Sequence, residues 1–338
     1  MAANGDPVLS TTLPTLRLDL LRDGNWEESK RLFEACRAYG FFYLDLRSDP
    51  AICRLWEEML VVAREYFEQP LEVKMQDARG SDNTGYGAKG HEVGPQPATV
   101  DGYEFLKISR REHLNGDIEL TTSIKTKSDF FFSFMATAHD TLLTLLGRLS
   151  NVMGLEGPES FGTYHEETIP THTNLALLRY PKHQDDAGVN SVGHNKHTDI
   201  GSLTLLLCQQ WGLQILSPGT EKWAFVEPRA GHAVINVGDS LRFLSRGKLA
   251  SVVHRVIPVG AKQHEDRYSI AYFLRINDNV SLKDANGKLW SAKEWHDAKF
   301  NASRSPDTME NGSQVLTGMM ENDDILISGV DLTAIAAV

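Results

Sequence analysis

The sequence has little cysteine: Cys36, Cys53 and Cys208 are the only three in 338 residues. They lie far apart, and none has a histidine or a second cysteine at zinc-finger spacing. This scarcity excludes a framework of disulfides and disfavours a structural zinc site. Cys36 and Cys208 lie in apolar segments typical of core positions, so we expect a reducing, cytoplasmic environment.

A surplus of positive charge is also missing. The chain carries 34 basic and 45 acidic residues, a net charge of −11. Binding to nucleic acid depends on basic surfaces that contact phosphates, so we expect no nucleic-acid partner. The sequence has no run of about 18 apolar residues, so we expect no membrane span. Its first residues do not form a basic segment followed by an apolar one, so we expect no secretory signal.

The chain divides into segments that differ in composition and in the spacing of their hydrophobic residues. Short strand and helix patterns alternate over 13–75, residues 76–127 are polar and glycine-rich, and apolar side chains recur at helical spacing over 128–154. From 174 to 276 short strands follow one another without a long helix, which predicts a sandwich or barrel, and a short helix follows over 290–300. The predicted strands of that region are 175–181, 202–207, 213–216, 233–237, 241–244, 251–257 and 268–274.

Histidine two residues before an acidic residue is the simplest metal-ligand pattern in the chain. It occurs four times, at His165, His183, His197 and His264, and so acidic a sequence produces it easily by chance. Only His197 and Asp199 run directly into an apolar strand pattern, over 200–208. Because alternate residues of a strand point to the same side, this pair can face one site if the segment is extended.

A third ligand is expected from a distant strand, and His254 lies in the apolar segment 251–257. Two histidines and one carboxylate form the facial triad of iron(II) oxygenases, which leaves coordination positions open for other ligands. The alternative for His254 alone is a core histidine whose ring bonds to a backbone carbonyl. The pattern therefore predicts a metal site formed by His197, Asp199 and His254.

Arg267 and Ser269 lie at the start of the strand pattern that follows the last histidine. Strand alternation places them on one face, where a guanidinium and a hydroxyl can bind a carboxylate together. The alternative is an arginine at a strand edge that forms a surface salt bridge. Because Arg267 and Ser269 follow the predicted metal ligands in the sequence, we prefer the prediction that they bind an anion beside the metal.

The order His197-Thr198-Asp199, His254 and Arg267-Tyr268-Ser269 resembles the 2-oxoglutarate/Fe(II)-dependent dioxygenases of the isopenicillin N synthase-like superfamily. The resemblance extends over about residues 12–300. The amino-acid sequences of the strands are most similar to those of fungal members from secondary-metabolite pathways. It implies a mixed α/β fold: a double-stranded β-helix (jelly-roll) core with an N-terminal helical cap and a long supporting helix. The expected division is a cap region over 12–125, a jelly-roll domain over 126–300 and a tail over 301–338.

The resemblance also implies roles for individual residues. His197, Asp199 and His254 match the iron ligands, and the matches to the 2-oxoglutarate-binding positions are Arg267, Ser269 and Tyr180. Relatives often have asparagine where this chain has Leu178, and many have a proline shortly after Phe273 that is absent here. The expected substrate-pocket residues are Tyr86, Phe273, Arg275 and Lys196.

The implied reaction is the oxidation of an unactivated C–H bond of a small molecule, by hydroxylation, desaturation or ring rearrangement. It implies Fe(II) as cofactor, 2-oxoglutarate and dioxygen as co-substrates, and ascorbate as a stimulant. Three alternatives stay open: an iron oxidase of the isopenicillin N synthase type that uses no 2-oxoglutarate, a zinc hydrolase, and a binding module without activity. The sequence does not predict the oligomeric state.

Overall fold

Antiparallel strands dominate the computed structural model, which describes residues 9–80, 84–91, 101–116, 122–182, 193–220, 222–259, 263–284, 286–304 and 313–318. The strands in these residues are β1 (Thr15–Arg17), β2 (Phe41–Asp45), β3 (Gly85–Gly87), β4 (Glu104–Ser109), β5 (Asn174–Tyr180), β6 (His194–His197), β7 (Leu203–Cys208), β8 (Leu213–Ser217), β9 (Lys222–Phe225), β10 (His232–Val237), β11 (His254–Val256), β12 (Arg267–Leu274), β13 (Ser281–Lys283) and β14 (Leu289–Ser291).

Two of the sheets form the core of the fold. The larger has the order β1-β2-β10-β7-β12-β5-β4-β3, and the smaller has the order β6-β11-β8-β9. Apart from the parallel pair β1–β2, neighbouring strands in both sheets are antiparallel. Side chains of β8 pack with those of β2 and β10, and Val256 of β11 packs with β5 and β12. The predicted jelly-roll core is thus confirmed.

Helices from the first half of the chain cover the outer face of the larger sheet, and those after residue 290 line the interior between the sheets. In the described residues they are α1 (Leu18–Arg22), α2 (Trp26–Ala38), α3 (Pro50–Phe67), α4 (Leu71–Lys74), α5 (Arg110–Asn115), α6 (Thr122–Lys125), α7 (Ser128–Met153), α8 (Asp239–Leu244), α9 (Ala292–Arg304) and α10 (Ser313–Leu316). The start of α3 shows why the chain turns helical there: Pro50 fits the first helical position, and the Asp49 carboxylate accepts from the backbone N–H groups of Ala51 and Ile52.

Helix α7 is the long supporting helix that the apolar spacing predicted. Its buried side, which includes Phe131, Leu142 and Leu149, packs in the same cluster as Ile270 and Tyr272 of β12. By length and composition α7 also passes the test for a membrane-crossing helix, but half of its apolar window is buried inside the protein. That burial is what the core helix of a folded domain requires.

Strand β12 separates the helix-covered core from the interior between the sheets. Tyr268, Ile270, Tyr272 and Leu274 point to the helices, while Ala271 packs on the opposite side. Alternation along one strand therefore gives Arg267, Ser269 and Phe273 the interior-facing side.

Three strand predictions differ from the structure. Residues 241–244 belong to helix α8, because the backbone N–H groups of Asp239 and Ser240 bond to carbonyls of the 199–201 segment and turn the chain there. Four residues, three of them apolar, are too few to distinguish strand from helix by periodicity. The strand predicted from 200 begins at Leu203, and the one predicted over 251–257 is limited to His254–Val256.

The larger sheet also joins the two regions into which the sequence was divided. Strands β1 to β4 come from residues before 125, and two of them pair with strands of the later region: β2 with β10 and β4 with β5. The boundaries at 125 and 300 stay a prediction, and most of the tail over 301–338 lies outside the described residues.

Lys299 and Asp239 form a buried ion pair that ties α9 to α8. The ammonium donates to the Asp239 carboxylate at 2.6 Å and to the hydroxyl and carbonyl oxygens of Thr198, also at 2.6 Å. We expect Lys299→Met to lower the free energy of unfolding by about 3 kcal/mol, because the buried Asp239 carboxylate then keeps only Arg242, at 3.8 Å, as a cationic partner. Urea unfolding measures the change.

The matched control is Lys248→Met, which removes the same charge from an exposed turn. It should change the free energy of unfolding by less than about 0.5 kcal/mol. The double variant Lys299→Met/Asp239→Asn should recover part of the lost stability. Equal stabilities of the Lys299 and Lys248 variants would show that the ion pair does not stabilise the fold.

Candidate metal centre

Two neighbouring residues of the sequence and one distant histidine meet between the two sheets. His197 ends β6 and His254 begins β11, and the two residues are directly paired across these antiparallel strands. Asp199 comes two residues after His197, and its Oδ1 lies 3.7 Å from Nε2 of each histidine. One atom from each residue lies within 4.8 Å of the others, a group that can hold a metal ion.

The route by which Asp199 reaches this site differs from the sequence argument. His197 is on a strand of the smaller sheet, but Asp199 lies in the segment that crosses to β7 of the larger sheet. Backbone bonds fix that crossover, since the Asp199 carbonyl accepts from the Asp239 N–H at 2.7 Å. The crossover, and not alternation along one strand, therefore brings the carboxylate to the histidines.

Hydrogen bonds to backbone carbonyls set the tautomers of both histidines. Nδ1 of His197 is 2.7 Å from the Asn195 carbonyl, and Nδ1 of His254 is 3.1 Å from the Val252 carbonyl. A carbonyl only accepts, so Nδ1 carries the hydrogen on each ring and the Nε2 lone pair faces the centre. Burial, with His254 close by, lowers the pKa of His197 and favours its neutral, ligating form.

The carboxylate of Asp199 is oriented in the same way. Oδ2 accepts from the Thr204 hydroxyl and from the Asn236 amide, both at 2.6 Å, which leaves Oδ1 directed at the two histidines. Burial alone would raise the pKa of this carboxyl, but the neighbouring histidines and these two bonds hold the pKa below its ordinary value. The centre therefore offers two imidazole nitrogens and one carboxylate oxygen, a donor set that suits iron(II).

Sequence reasoning missed the supporting roles of Asn236 and Thr204. Asn236 is a buried amide in the apolar strand β10, and Thr204 is a buried hydroxyl in the apolar strand β7. Buried polar side chains need partners, so a polar residue inside such a strand was the signal that could have pointed to them.

Arg267 is the second unusual feature of the interior. Its side chain is only 1% exposed. Nη1 donates to the Ser269 hydroxyl at 2.8 Å and Nε donates to the Trp211 carbonyl at 3.1 Å, while Nη2 has no hydrogen-bond partner among the described residues. No described carboxylate pairs with Arg267, which disfavours the strand-edge salt bridge. A buried guanidinium with an unused N–H suits an anionic ligand.

Tyr180 and Gly212 shape the surroundings of this arginine. Tyr180 is paired with Arg267 across β5 and β12, and the guanidinium lies 4.9 Å from the centre of its ring. A Cβ added at Gly212 would lie 2.8 Å from Nε of Arg267. Only glycine therefore lets the backbone approach the guanidinium so closely, and the predicted group Arg267, Ser269 and Tyr180 is brought together.

An open cavity adjoins the metal ligands His197 and Asp199. Three of the predicted substrate-pocket residues line it, namely Phe273, Arg275 and Lys196. Residues that the sequence analysis assigned to the terminal helix or the tail line it too: Lys299, Phe300, Ser303 and Leu316. The Leu316 carbonyl accepts from the backbone N–H of Thr198 at 2.9 Å, so α10 lies against the ligand segment.

Tyr86 is the exception among the predicted pocket residues. Its hydroxyl donates to Glu104 at 2.6 Å, and the same carboxylate pairs with Lys74. Tyr86 packs with the helix-covered core and is not part of the cavity wall. The pocket assignment of Tyr86 is corrected accordingly: the strand β3 directs the ring to the opposite side of the sheet.

Comparisons with known proteins identify the family. The family model described as 2OG-Fe(II) oxygenase superfamily matches residues 171–276, and the model described as non-haem dioxygenase in morphine synthesis N-terminal matches residues 13–125. A 2-oxoglutarate-dependent dioxygenase, gloE of Glarea lozoyensis, is 47% identical over 93% of this chain and 94% of its own length. The chain belongs to the 2-oxoglutarate/Fe(II)-dependent oxygenase superfamily.

Other comparisons agree with that membership. The 2-oxoglutarate-dependent dioxygenase frbH of a Dothideomycetidae species is 45% identical over 92% of this chain and 96% of its own length. Among solved structures, the dioxygenase for auxin oxidation of rice superposes with a TM-score of 0.66, at 24% identity over 88% of this chain and 98% of that chain. The similarity to the rice enzyme shows that the two chains share a fold.

Membership in this superfamily confirms the resemblance that the sequence motifs indicated. The protein is an enzyme of the 2-oxoglutarate-dependent dioxygenase class, and its cofactor and co-substrates are Fe(II), 2-oxoglutarate and dioxygen. The zinc hydrolase and the inactive binding module are therefore disfavoured. The buried, oriented donor set and the unused N–H of Arg267 fit these groups.

Proposed function

We propose that His197, Asp199 and His254 hold the Fe(II), and that Arg267 and Ser269 hold the distal carboxylate of 2-oxoglutarate. The observation that carries this proposal is the buried Arg267, whose Nη2 lacks a partner among the described residues while Nη1 engages Ser269. A carboxylate placed there accepts from both residues through charge-assisted bonds. Tyr180 covers the guanidinium and limits access of water.

The substrate in this proposal is a small-molecule metabolite, oxidised at an unactivated C–H in a secondary-metabolite pathway. When bound, iron would combine dioxygen with 2-oxoglutarate: one oxygen atom would enter succinate, carbon dioxide would be released, and the second oxygen atom would oxidise the substrate. The chain's own residues orient the ligands and shape the cavity, and its apolar wall, which includes Ala176, Leu178 and Phe273, keeps the reacting carbon away from water.

The test is turnover by the purified enzyme with Fe(II), ascorbate and 2-oxoglutarate in air. We expect release of succinate that depends on both iron and 2-oxoglutarate and rises when a panel of metabolites includes the substrate. Oxidation of a substrate with uptake of dioxygen, but without any need for 2-oxoglutarate, would instead establish the oxidase alternative. In that case Arg267 and Ser269 would bind the substrate's own carboxylate.

We further propose that the enzyme acts in the cytoplasm, without a nucleic-acid or membrane partner. Cys36, Cys53 and Cys208 are all free thiols, which is compatible with a reducing compartment. The acidic balance of the chain, at −11, disfavours binding to phosphate backbones. Microscopy of the full chain fused to a fluorescent protein tests the compartment.

A further inference from the structure

Thr198 is the single residue between the proposed metal ligands His197 and Asp199. Because the position of a ligand follows its backbone, a restraint on Thr198 also restrains the two ligands relative to each other. The backbone of Asp199 is held by α8, since the Asp239 N–H donates to the Asp199 carbonyl at 2.7 Å. The backbone groups of Thr198 bond to other elements.

Lys299 of α9 holds Thr198 from the opposite end of the chain. Its ammonium donates to the carbonyl of Thr198, to the hydroxyl of Thr198 and to the carboxylate of Asp239, each at 2.6 Å. An ammonium has three N–H groups, so these three acceptors use all of them. Two of the three bonds go to Thr198. Lys299 therefore restrains the ligand segment as well as pairing with Asp239.

The residues at the end of α10 pack against the same group. The Thr198 N–H donates to the Leu316 carbonyl at 2.9 Å. Gly318 has a φ of +71°, and a Cβ there would lie 2.6 Å from Oδ1 of Asp239 and 3.0 Å from Oγ1 of Thr198. Only glycine therefore permits this close approach. Both backbone groups of Thr198, the N–H and the carbonyl, are thus bound by residues after 298.

The charge of Lys299 lies beside the metal site. The side chain is 4% exposed and lines the same cavity as His197 and Asp199. Burial lowers the pKa of Lys299, while the charges of Asp239 and Asp199 oppose that shift. A cation beside the site repels a divalent metal ion, so the charge of Lys299 alone weakens metal binding.

We propose that Lys299 is a positioning residue of the metal centre, which fixes the backbone between His197 and Asp199 and thereby strengthens metal binding. This inference rests on the proposed function and adds a residue that belongs neither to the metal ligands nor to the 2-oxoglutarate group. Without the ammonium, the Thr198 carbonyl loses its donor and the ligand segment loses a restraint. The positioning effect and the charge of Lys299 therefore predict opposite changes in metal affinity when the ammonium is removed.

Calorimetric titration of the full, metal-free chain with Mn(II) tests the proposal without turnover. Mn(II) is a divalent ion that replaces iron without its redox chemistry. We expect Lys299→Met to bind Mn(II) about 10-fold more weakly than the wild type, at a temperature where circular dichroism shows both to be folded. Loss of the positive charge alone would tighten binding instead. An affinity equal to that of the wild type, or tighter, would overturn the proposal.

Leu142→Ala is the control for lost stability. Leu142 is fully buried on α7 in the helix-covered core, and its truncation destabilises the fold by leaving a cavity. This variant should bind Mn(II) with the wild-type affinity. If it weakens Mn(II) binding as much as Lys299→Met does, lost stability accounts for both results and the proposal fails.

The double variant Lys299→Met/Asp239→Asn separates positioning from the ion pair, and it keeps the test if the single variant fails to fold. It removes both charges of the buried pair, so it should be more stable than Lys299→Met. The Thr198 carbonyl still lacks its donor, so Mn(II) binding should stay about 10-fold weaker than in the wild type. Wild-type affinity in the double variant would show that Lys299 acts through the ion pair alone, against the proposal.

Asp199→Ala, titrated in parallel, separates this inference from the proposed function. If the wild type binds no Mn(II), or if Asp199→Ala binds it equally tightly, the proposed metal ligands are wrong and this inference fails with them. If Asp199→Ala loses Mn(II) binding while Lys299→Met retains the wild-type affinity, the proposed ligands stand and only the positioning role fails.

Discussion

Replacing Asp199 with alanine is expected to reduce turnover to the level of the iron-free enzyme. The substitution removes the one anionic donor of the centre and leaves two neutral imidazoles, those of His197 and His254, which bind a divalent ion weakly. The chain should still fold, because the substitution removes a buried charge and leaves the backbone bonds of the crossover unchanged. Succinate release and thermal unfolding are the two measurements.

Thermal unfolding reports metal binding without any need for activity. A ligand that binds only the folded state raises the unfolding temperature, so Mn(II), as an inert substitute for iron, should stabilise the wild type and not the Asp199→Ala variant. Asn236→Ala keeps all three donors but removes one bond to Asp199, and should weaken metal binding by about 10–100-fold.

His264→Ala serves as the control for this prediction. His264 occurs in the same histidine–acid pattern as His197, but it is exposed and lies outside the metal centre. Its turnover and its metal-induced stabilisation should equal those of the wild type. Full activity of Asp199→Ala would contradict the metal assignment, whatever the result for His264.

Alternation along strands was sufficient to predict part of the fold and of the site. Short apolar segments indicated β5, β7, β8, β10, β11 and β12, and alternation placed Arg267 and Ser269 on one face, where the structure shows a bond between them. The apolar stripe of α7 was equally clear, because 26 residues give periodicity enough repeats to be unambiguous. Local patterns with many repeats therefore agree with the structure, whereas the four-residue segment 241–244 was too short and forms a helix.

Contacts between distant segments could not be predicted from local sequence patterns. Thr198 bonds to Leu316, 118 residues later, and to Lys299, 101 residues later, and no local pattern indicates either contact. Asp199 reaches the histidines through a crossover whose position depends on α8, which the sequence analysis took for a strand. The glycine-rich segment around Tyr86 was misassigned for the same reason, since its partner Glu104 lies on another strand.

Replacing Arg267 with methionine is expected to raise the 2-oxoglutarate concentration needed for half-maximal turnover by about 100-fold. Methionine has a similar volume but no N–H groups, so the distal carboxylate loses its charge-assisted bonds, which are worth about 1.5–3 kcal/mol when one partner is charged. Ser269→Ala removes one hydroxyl and should raise the requirement by about 10-fold. The dependence of succinate release on 2-oxoglutarate concentration measures both.

Arg255→Met is the matched control for the arginine. Arg255 lies on β11 next to His254, but its guanidinium bonds to Gln214 and lies 4.0 Å from the Trp223 ring, away from the cavity wall. Its 2-oxoglutarate requirement should therefore stay at the wild-type value, which separates loss of the co-substrate contact from loss of any half-buried guanidinium. If Arg267→Met instead raises the requirement for the organic substrate and leaves that for 2-oxoglutarate unchanged, the guanidinium binds the substrate's carboxylate, and the assignment of Arg267 to the co-substrate is wrong.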